Sequence, residues 1–405
     1  MKGRYGLIGR KLGHSYSPQI HALIGEYEYG LYPMEEEAIP AFLQGDFAGM
    51  NVTIPYKETV MPFLAQISPE ARRIGSVNTL VRSPDGSLTG YNTDYFGFSY
   101  ILGDTAAFAG KKALILGSGG ASKTVQAVLS DRDVPFVVIS RSGENNYENL
   151  HLHADAHLIV NTTPVGMFPE IEAAPVDLRL FPECKLVVDL IYNPAKTSLM
   201  LQADALGIEN RGGIGMLSAQ AVKAAELWGL RDPSAPDPTA IIAEKVQRDM
   251  KSIALIGMPG CGKSSVGQQL AEMTGRKFID VDEMIVKMAG KPIPQIFAEE
   301  GEAAFRAIET QALAAAAKES RAVIATGGGV VTRSENRDIL RRNCTVVLIE
   351  RALSDLPIAG RPLSQGRGVE EIYRERKPLY DTWCDARYTN ISIGETAEAI
   401  KGDLT

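Results

Sequence analysis

Apolar positions gather into three groups along the chain, and in each group strand-length runs are separated by segments of helical period. In the first, Tyr5-Gly-Leu-Ile-Gly9, Gly49-Met-Asn-Val-Thr-Ile54 and Val77-Asn-Thr-Leu-Val81 predict the strands of a small α/β unit. The second holds Ala113-Leu-Ile-Leu116, Phe136-Val-Val-Ile139, Leu158-Ile-Val160 and Leu186-Val-Val-Asp189. Strands this apolar, alternating with helical segments, predict a parallel, doubly wound sheet covered on both faces. A predicted helix over residues 217–227 closes this group. Arg231-Asp-Pro-Ser-Ala-Pro-Asp-Pro238 then breaks any regular structure and reads as a semi-extended linker. A helical pattern over 239–250 leads into Ser252-Ile-Ala-Leu-Ile256, the first strand of a second parallel α/β domain that runs to the end. No internal repeat is visible.

Length agrees with this division, since 405 residues exceed what one hydrophobic core usually serves. The apolar and charged fractions, 45% and 22%, are those of an ordinary globular protein, and no apolar run is long enough to span a bilayer. The first residues lack the apolar stretch and cleavage site of a signal peptide, so a cytoplasmic location is expected. Cys184, Cys261, Cys344 and Cys384 are far apart, which points to reduced thiols rather than disulfides or zinc. A net charge of −7 offers no basic footprint for nucleic acid. Anionic small molecules must therefore be met by local clusters.

Gly257-Met-Pro-Gly260-Cys261-Gly262-Lys263-Ser264 is a complete P-loop pattern between a buried strand and an amphipathic helix. Its glycines let backbone N–H groups wrap phosphates, with Ser265 following at the helix start. Lys263 supplies a mobile charge to ATP, and the Ser264 hydroxyl is suited to Mg²⁺. Cys261 is read as a small residue filling the loop in preference to a redox switch. Asp280-Val-Asp282 closes a short predicted strand, which would put both carboxylates on one face, Asp280 toward the metal and Asp282 toward a substrate hydroxyl. In the middle group, Leu114-Ile-Leu-Gly117-Ser-Gly119-Gly120-Ala121-Ser122 is the strand, glycine turn and helix of a Rossmann unit. Arg141 stands after the next strand, where an acid would bind a ribose 2′-hydroxyl. An arginine there favours a 2′-phosphate and hence NADP(H).

From about residue 251 onward the chain resembles shikimate kinase, on the P-loop, Asp280-x-Asp282, Gly301-Glu-Ala-Ala-Phe-Arg306-Ala-Ile-Glu309, Thr326-Gly327-Gly328-Gly329, Gly360-Arg361-Pro-Leu363 and Glu375-Arg376-Lys-Pro-Leu-Tyr380. The resemblance implies that Arg306 and Arg376 hold the shikimate carboxylate while Gly328 approaches the ring through its backbone. It further implies that Asp282 orients the ring hydroxyls and can act as a base, and that Arg361 rides on a lid over ATP. Forked guanidinium groups suit a planar carboxylate.

Residues 2–229 resemble shikimate dehydrogenase, on Gly13-His14-Ser15-Tyr-Ser17-Pro18, Asn51-Val-Thr53-Ile-Pro-Tyr-Lys57, Ser76-Val-Asn78, Gly90-Tyr-Asn-Thr-Asp94, Asn161-Thr-Thr-Pro-Val-Gly166, Asp189-Leu190-Ile-Tyr192 and Gly213-Ile-Gly-Met-Leu-Ser-Ala-Gln220. By that resemblance Ser15 and Ser17 hold the substrate carboxylate, and Thr53, Asn78, Asp94, Gln220 and Tyr192 meet the ring oxygens. Gly117, Gly119, Gly120, Ala121, Ser122, Arg141, Leu190 and Gly213 would line NADP(H). Lys57 and Asp94 form the implied catalytic pair: an ammonium beside the reacting carbonyl stabilises developing charge and then protonates the oxygen. His14 is read as a turn residue. The span from Arg141 to Leu158 is short, which predicts a lost or reduced helix, and His151, His153 and His157 within it are expected in a surface loop rather than around a metal.

The expected architecture is α/β throughout: a substrate domain (1–95), a Rossmann NADP-binding domain (96–230) whose last helix packs back on the first, a linker with a connecting helix (231–249), and a P-loop kinase domain with a parallel sheet (250–405). The implied function is reduction of 3-dehydroshikimate to shikimate followed by its phosphorylation, with small molecules as the partners and the oligomeric state open. Two alternatives stand beside it. One is a preference for quinate or NAD. The other is a non-catalytic metabolite sensor, which should have lost Lys57, Asp94, Lys263 or Asp280, yet all four are present.

Overall fold

The computed structural model describes residues 3–13, 15–356 and 368–404, so His14 and the proposed lid with Arg361 lie outside the described residues. The chain divides into two compact units, Met1–Tyr192 with Thr197–Val246, and Asn193–Lys196 with Gln247–Thr405. Among the described residues no helix is long and apolar enough to cross a membrane.

The first unit contains two sheets. Strands β1 (Tyr5–Gly9), β2 (Tyr29–Pro33), β3 (Gly49–Val52), β4 (Gln66–Ile67), β5 (Thr79–Arg82) and β6 (Leu88–Tyr91) form a mixed sheet in the order β2-β1-β3-β5-β6-β4. Within it β1 runs parallel to both β2 and β3, and β5 reverses direction against β3. Ile8, Met50, Val52 and Leu80 pack with Ile39 and Tyr56 beneath the sheet. The strand expected over 77–81 starts two residues late, although the Asn78 backbone still pairs, its carbonyl accepting from Val52 and its N–H donating to Tyr91.

β7 (Ala113–Leu116), β8 (Phe136–Ile139), β9 (Leu158–Asn161), β10 (Leu186–Asp189) and β11 (Glu209–Gly212) make the second sheet, all parallel, in the order β11-β10-β9-β7-β8. Alternate residues go to opposite cores. Ile115, Val160 and Val188 meet Phe98 and Leu102 on one face, while Leu114, Ile159 and Val187 meet Phe181 and Leu199 on the other. Each such fully buried aliphatic side chain contributes about 1.5–3 kcal/mol, which is why these strands read as unbroken apolar runs. The chain moves outward from β7 to β8 and returns to β9 on the other side of β7. A crevice is expected at that reversal, beyond the strands' carboxyl ends.

The helix expected over 217–227 begins earlier and spans Gly213–Leu227; it packs on the helices Thr93–Leu102 and Ser17–Ile24. Just past it, Trp228 donates its indole N–H to Leu80 O at 3.0 Å. Between Arg141 and β9 only a 3₁₀ turn, Leu150–His153, forms. His153 departs from the surface-loop expectation: it is buried, with Nε2 3.0 Å from Asn145 Oδ1. No group of three or more potential metal ligands occurs among the described residues.

In the second unit β12 (Ser252–Ile256), β13 (Lys277–Asp280), β14 (Ala322–Ala325), β15 (Cys344–Glu350) and β16 (Ala386–Thr389) are all parallel, in the order β13-β14-β12-β15-β16. The central β12 is buried throughout and delivers the P-loop at its carboxyl end. A long helical run, Ile293–Ala317, is broken at Gly301, whose φ of 80° lies in the left-handed region.

Candidate active sites

Lys57 follows β3 in a turn held by Val77 N–H donating to Lys57 O at 2.9 Å and by the buried Tyr56, whose hydroxyl donates to Met34 O. Its ammonium donates to Asp94 Oδ2 at 2.6 Å. Asp94 sits in the first turn of the helix Thr93–Leu102, which Asn92 caps by accepting from Tyr95 N–H. A carboxylate is favourable at that end of a helix dipole. The pair is about one-quarter and one-fifth exposed, at 27% and 18%, open enough for a ligand to reach.

Behind the pair runs a buried polar chain. Tyr29 donates to Asn51 Oδ1 at 2.7 Å. Asn51 Nδ2 donates to Thr79 Oγ1, Thr79 donates to Asn78 Oδ1, and Asn78 Nδ2 donates to Gln220 Oε1 at 3.1 Å. Asn78 Oδ1 also accepts Thr93 N–H at 2.7 Å, tying the network to the residue before Asp94. Ser15 Oγ accepts the Ser17 N–H, and Thr53 N–H donates to Ile8 O where β1 and β3 lie side by side. The structure thus joins Asn78 and Gln220 with the helix that carries Asp94. Tyr29 and Asn51 went unassigned from sequence. The signal for Asn51 was a lone amide in a strand whose other positions are buried.

Gly117 follows β7 with φ 103°, and the helix Gly120–Asp131 begins with no side-chain cap on its first N–H groups, beside the exposed Gly119, Gly120 and Ala121. Arg141 is exposed two residues beyond β8. Leu190 and Gly213 touch: a Cβ on Gly213 would fall 2.1 Å from Leu190 O, so only glycine fits. Tyr192 stands edge-on to Tyr16, ring centroids 6.1 Å apart. Ser122 departs from expectation. Its side chain is buried and accepts from Gln126 Nε2 at 3.1 Å, so it serves its own helix rather than the crevice.

In the second unit Gly257, Gly260 and Gly262 all have positive φ, the backbone twist that turns successive N–H groups inward. Lys263 is folded back, Nζ donating to Gly257 O at 2.9 Å and Met258 O at 3.0 Å. Cys261 is fully buried in the loop, as a space-filling residue would be. Asn390, unassigned from sequence, donates to Cys261 O at 2.7 Å and braces the loop from the end of β16. Ser264 Oγ donates to Asp280 Oδ2 at 2.6 Å, and Ser265 is exposed at the next position.

Asp280 and Asp282 do not share the strand face expected from their spacing. β13 ends at Asp280, which caps the helix Val281–Ala289 by accepting N–H from Asp282 and Glu283. Asp280 competes successfully for helix donors, as aspartate at such a position commonly does, so the two carboxylates are adjacent through a strand-to-helix junction.

Arg306 is buried and donates to Glu309 Oε2 at 2.7 Å and Glu302 Oε1 at 3.1 Å. Glu309 is fully buried; burial pushes its carboxyl upward against the lowering influence of Arg306. Gly327 to Gly329 form the wall opposite. Cβ atoms there would strike Glu309 at 2.3 Å, Pro259 at 2.6 Å and the Arg306 guanidinium at 2.2 Å. Tyr380 donates to Gly328 O at 2.5 Å. Arg376 is 3% exposed and its Nε has no partner among the described residues, a buried donor of the kind that a ligand satisfies. Glu309 and Tyr380 went unassigned from sequence, although Glu309, one helical turn beyond Arg306, carried the signal of an i,i+3 pair.

Known proteins resemble both halves. Residues 7–80 match the family model for the shikimate dehydrogenase substrate binding domain, and residues 259–400 the one for shikimate kinase. A shikimate dehydrogenase (NADP(+)) of Clostridium beijerinckii is 37% identical over 247 residues, covering 55% of this chain and 91% of that protein. The shikimate 5-dehydrogenase of Thermus thermophilus, solved in complex with NADP(H) and shikimate, superimposes with a TM-score of 0.53 at 33% identity, over 60% of this chain and 98% of that one. Quinate dehydrogenase from Corynebacterium glutamicum, solved with NAD, gives a TM-score of 0.54 at 27% identity, over 60% and 98%.

Proposed function

Because the chain belongs to the shikimate dehydrogenase family and continues into a shikimate kinase domain, we propose that it catalyses two consecutive steps: NADPH reduces 3-dehydroshikimate to shikimate, and ATP then phosphorylates the 3-hydroxyl. The observation that carries this reading is the 2.6 Å contact of Lys57 with Asp94, in a chain that also holds an intact P-loop. The hydroxyl created in the first reaction is the nucleophile of the second.

The residues present fit the implied groups. The uncapped helix start at Gly120 and the exposed Arg141 suit a dinucleotide with a 2′-phosphate. Ser264 Oγ and Asp280 Oδ2 are hard oxygen donors 2.6 Å apart, enough for Mg²⁺, which keeps most of its water. When bound, NADPH supplies hydride, and ATP with Mg²⁺ supplies a phosphoryl group. Lys57 stabilises the carbonyl oxygen as it gains charge and gives it a proton, while Asp94 holds the ammonium on its line. Ser15 and Ser17 take the carboxylate, and Asn78, Gln220, Thr53 and Tyr192 the ring. In the kinase, Arg306 and Arg376 take the same carboxylate, Asp282 orients the attacking hydroxyl, and Lys263 swings from its loop carbonyls to the phosphates.

Measuring kcat/KM for shikimate and quinate, each with NADP⁺ and NAD⁺, tests the dehydrogenase assignment. Shikimate with NADP⁺ is expected to be the best pair by at least an order of magnitude. Quinate with NAD⁺ as the best pair overturns it.

A further inference from the structure

The end of β10 holds a carboxylate that the proposed chemistry does not use. Asp189 is fully buried and accepts three hydrogen bonds, from Asn161 Nδ2 at 3.0 Å, Ile191 N–H at 3.1 Å and Thr197 Oγ1 at 2.7 Å. All three donors are neutral. Burial pushes the carboxyl up to about 6, against those bonds, which favour the ionised form. A hydrophobic or amide residue would end a buried strand at lower cost, since an unpaired buried charge is expensive.

The carboxylate joins two loops. Asn161, at the neighbouring end of β9, accepts Thr163 N–H at 3.0 Å and Thr163 Oγ1 at 2.7 Å through its Oδ1, which sets the segment 162–166. On the other side, Ile191 N–H fixes the segment 190–192, where Leu190 O lies against Gly213 and Tyr192 against Tyr16. Both segments leave the sheet on the β9 and β10 side of the glycine turn. Arg141 leaves it on the β8 side. If the 2′-phosphate lies by Arg141 and the pyrophosphate at Gly119–Gly120, the nicotinamide must extend over β9 and β10, against these two loops.

We propose that Asp189 is a positioning residue for the dehydrogenase reaction, a buried clamp that locks the 162–166 and 190–192 loops together and so sets the wall against which the nicotinamide is aimed. The inference rests on the dehydrogenase reading above. It gives a functional reason for keeping a charge where packing alone would discard it.

The test uses the full chain with Asp189→Asn and Asp189→Ala. An amide keeps the shape and removes the buried charge, but offers a weaker acceptor to Asn161 and Ile191. The Asn variant is expected to lose at least fivefold in kcat for shikimate oxidation and to raise KM for NADP⁺. KM for shikimate should stay within twofold, and the thermal midpoint of the dehydrogenase unit at pH 8 should be unchanged or raised. The Ala variant should lose more, and if it does not fold the Asn variant decides alone. Kinase rate on the same samples normalises active chain. Wild-type kcat and KM in the Asn variant, or activity lost in step with a lowered midpoint, overturns the clamp. A wild-type chain with no NADP⁺-dependent oxidation of shikimate instead overturns the dehydrogenase reading and the clamp with it.

Discussion

Lys57 and Lys263 each follow the carboxyl end of a sheet strand, yet they are held in opposite ways. Lys57 is tied to a carboxylate 37 residues away in sequence and remains partly open. Lys263 is 7% exposed and rests on carbonyls of its own loop. A lysine that must deliver a proton to one oxygen needs a fixed direction, which a carboxylate partner supplies. A lysine that neutralises moving phosphate charge needs reach, and carbonyls hold it without fixing its direction or cancelling its charge.

Replacing each lysine gives the largest effects. Lys57→Ala is expected to lower dehydrogenase kcat/KM by about 10²–10⁴-fold, the range for losing a general acid, and to leave the kinase unchanged. Lys263→Ala should lower kinase kcat on the order of 10²–10³-fold, as for a lost transition-state donor, and spare the dehydrogenase. Assaying both reactions on both variants is decisive: loss of both activities from either change would show that the two halves are not independent.

A second contrast lies in how the two sites are proposed to take one carboxylate, by hydroxyls of Ser15 and Ser17 in the first and by Arg306 and Arg376 in the second. Arg306→Lys keeps charge but loses the fork, and bonds to charged groups are worth about 1.5–3 kcal/mol, so kinase KM for shikimate should rise by roughly 10- to 100-fold. Ser15→Ala removes one hydroxyl at about 0.5–1.5 kcal/mol, and dehydrogenase KM should rise by only about two- to tenfold. In both, kcat should hold, because the interaction is made equally in ground and transition states. Equal losses in the two halves would sink the contrast.

These contrasts were unevenly legible in the chain itself. The glycine loops and Lys263 stood in motifs whose chemistry demands their residue types, Lys57 and Arg306 were reached through the family resemblance, and the buried strands announced themselves by composition. The links between motifs did not. Tyr29 to Asn51, Asn390 to Cys261 and Tyr380 to Gly328 are contacts across 22, 129 and 52 residues, and no local pattern specifies a partner that distant. Asp280 misled because a strand and a helix N-cap both accept Asp-x-Asp, and only the helix donors of Asp282 and Glu283 decide between them.

The smallest expected effect concerns acid stability and again separates two groups, here within the dehydrogenase unit. His21 is buried, stacked on Tyr29 at 3.9 Å, and held down to about 3 by burial. Below pH 6.5 the unfolded chain binds its proton and the folded chain does not, so stability falls by about 1.4 kcal/mol per pH unit. Asp189 acts oppositely. Its folded value of about 6 lies above the unfolded 3.8, so the folded state binds the extra proton in that window and acidification stabilises. Between about pH 6 and 4 the two slopes nearly cancel in the wild type, which hides both. His21→Phe keeps the ring stack but takes no proton, so its thermal midpoint should gain on the wild type steadily from pH 6.5 to 4.5. Asp189→Asn, with only the histidine slope left, should fall behind over the same range. Parallel midpoint curves for the three proteins would mean that neither group is buried as strongly as its surroundings imply.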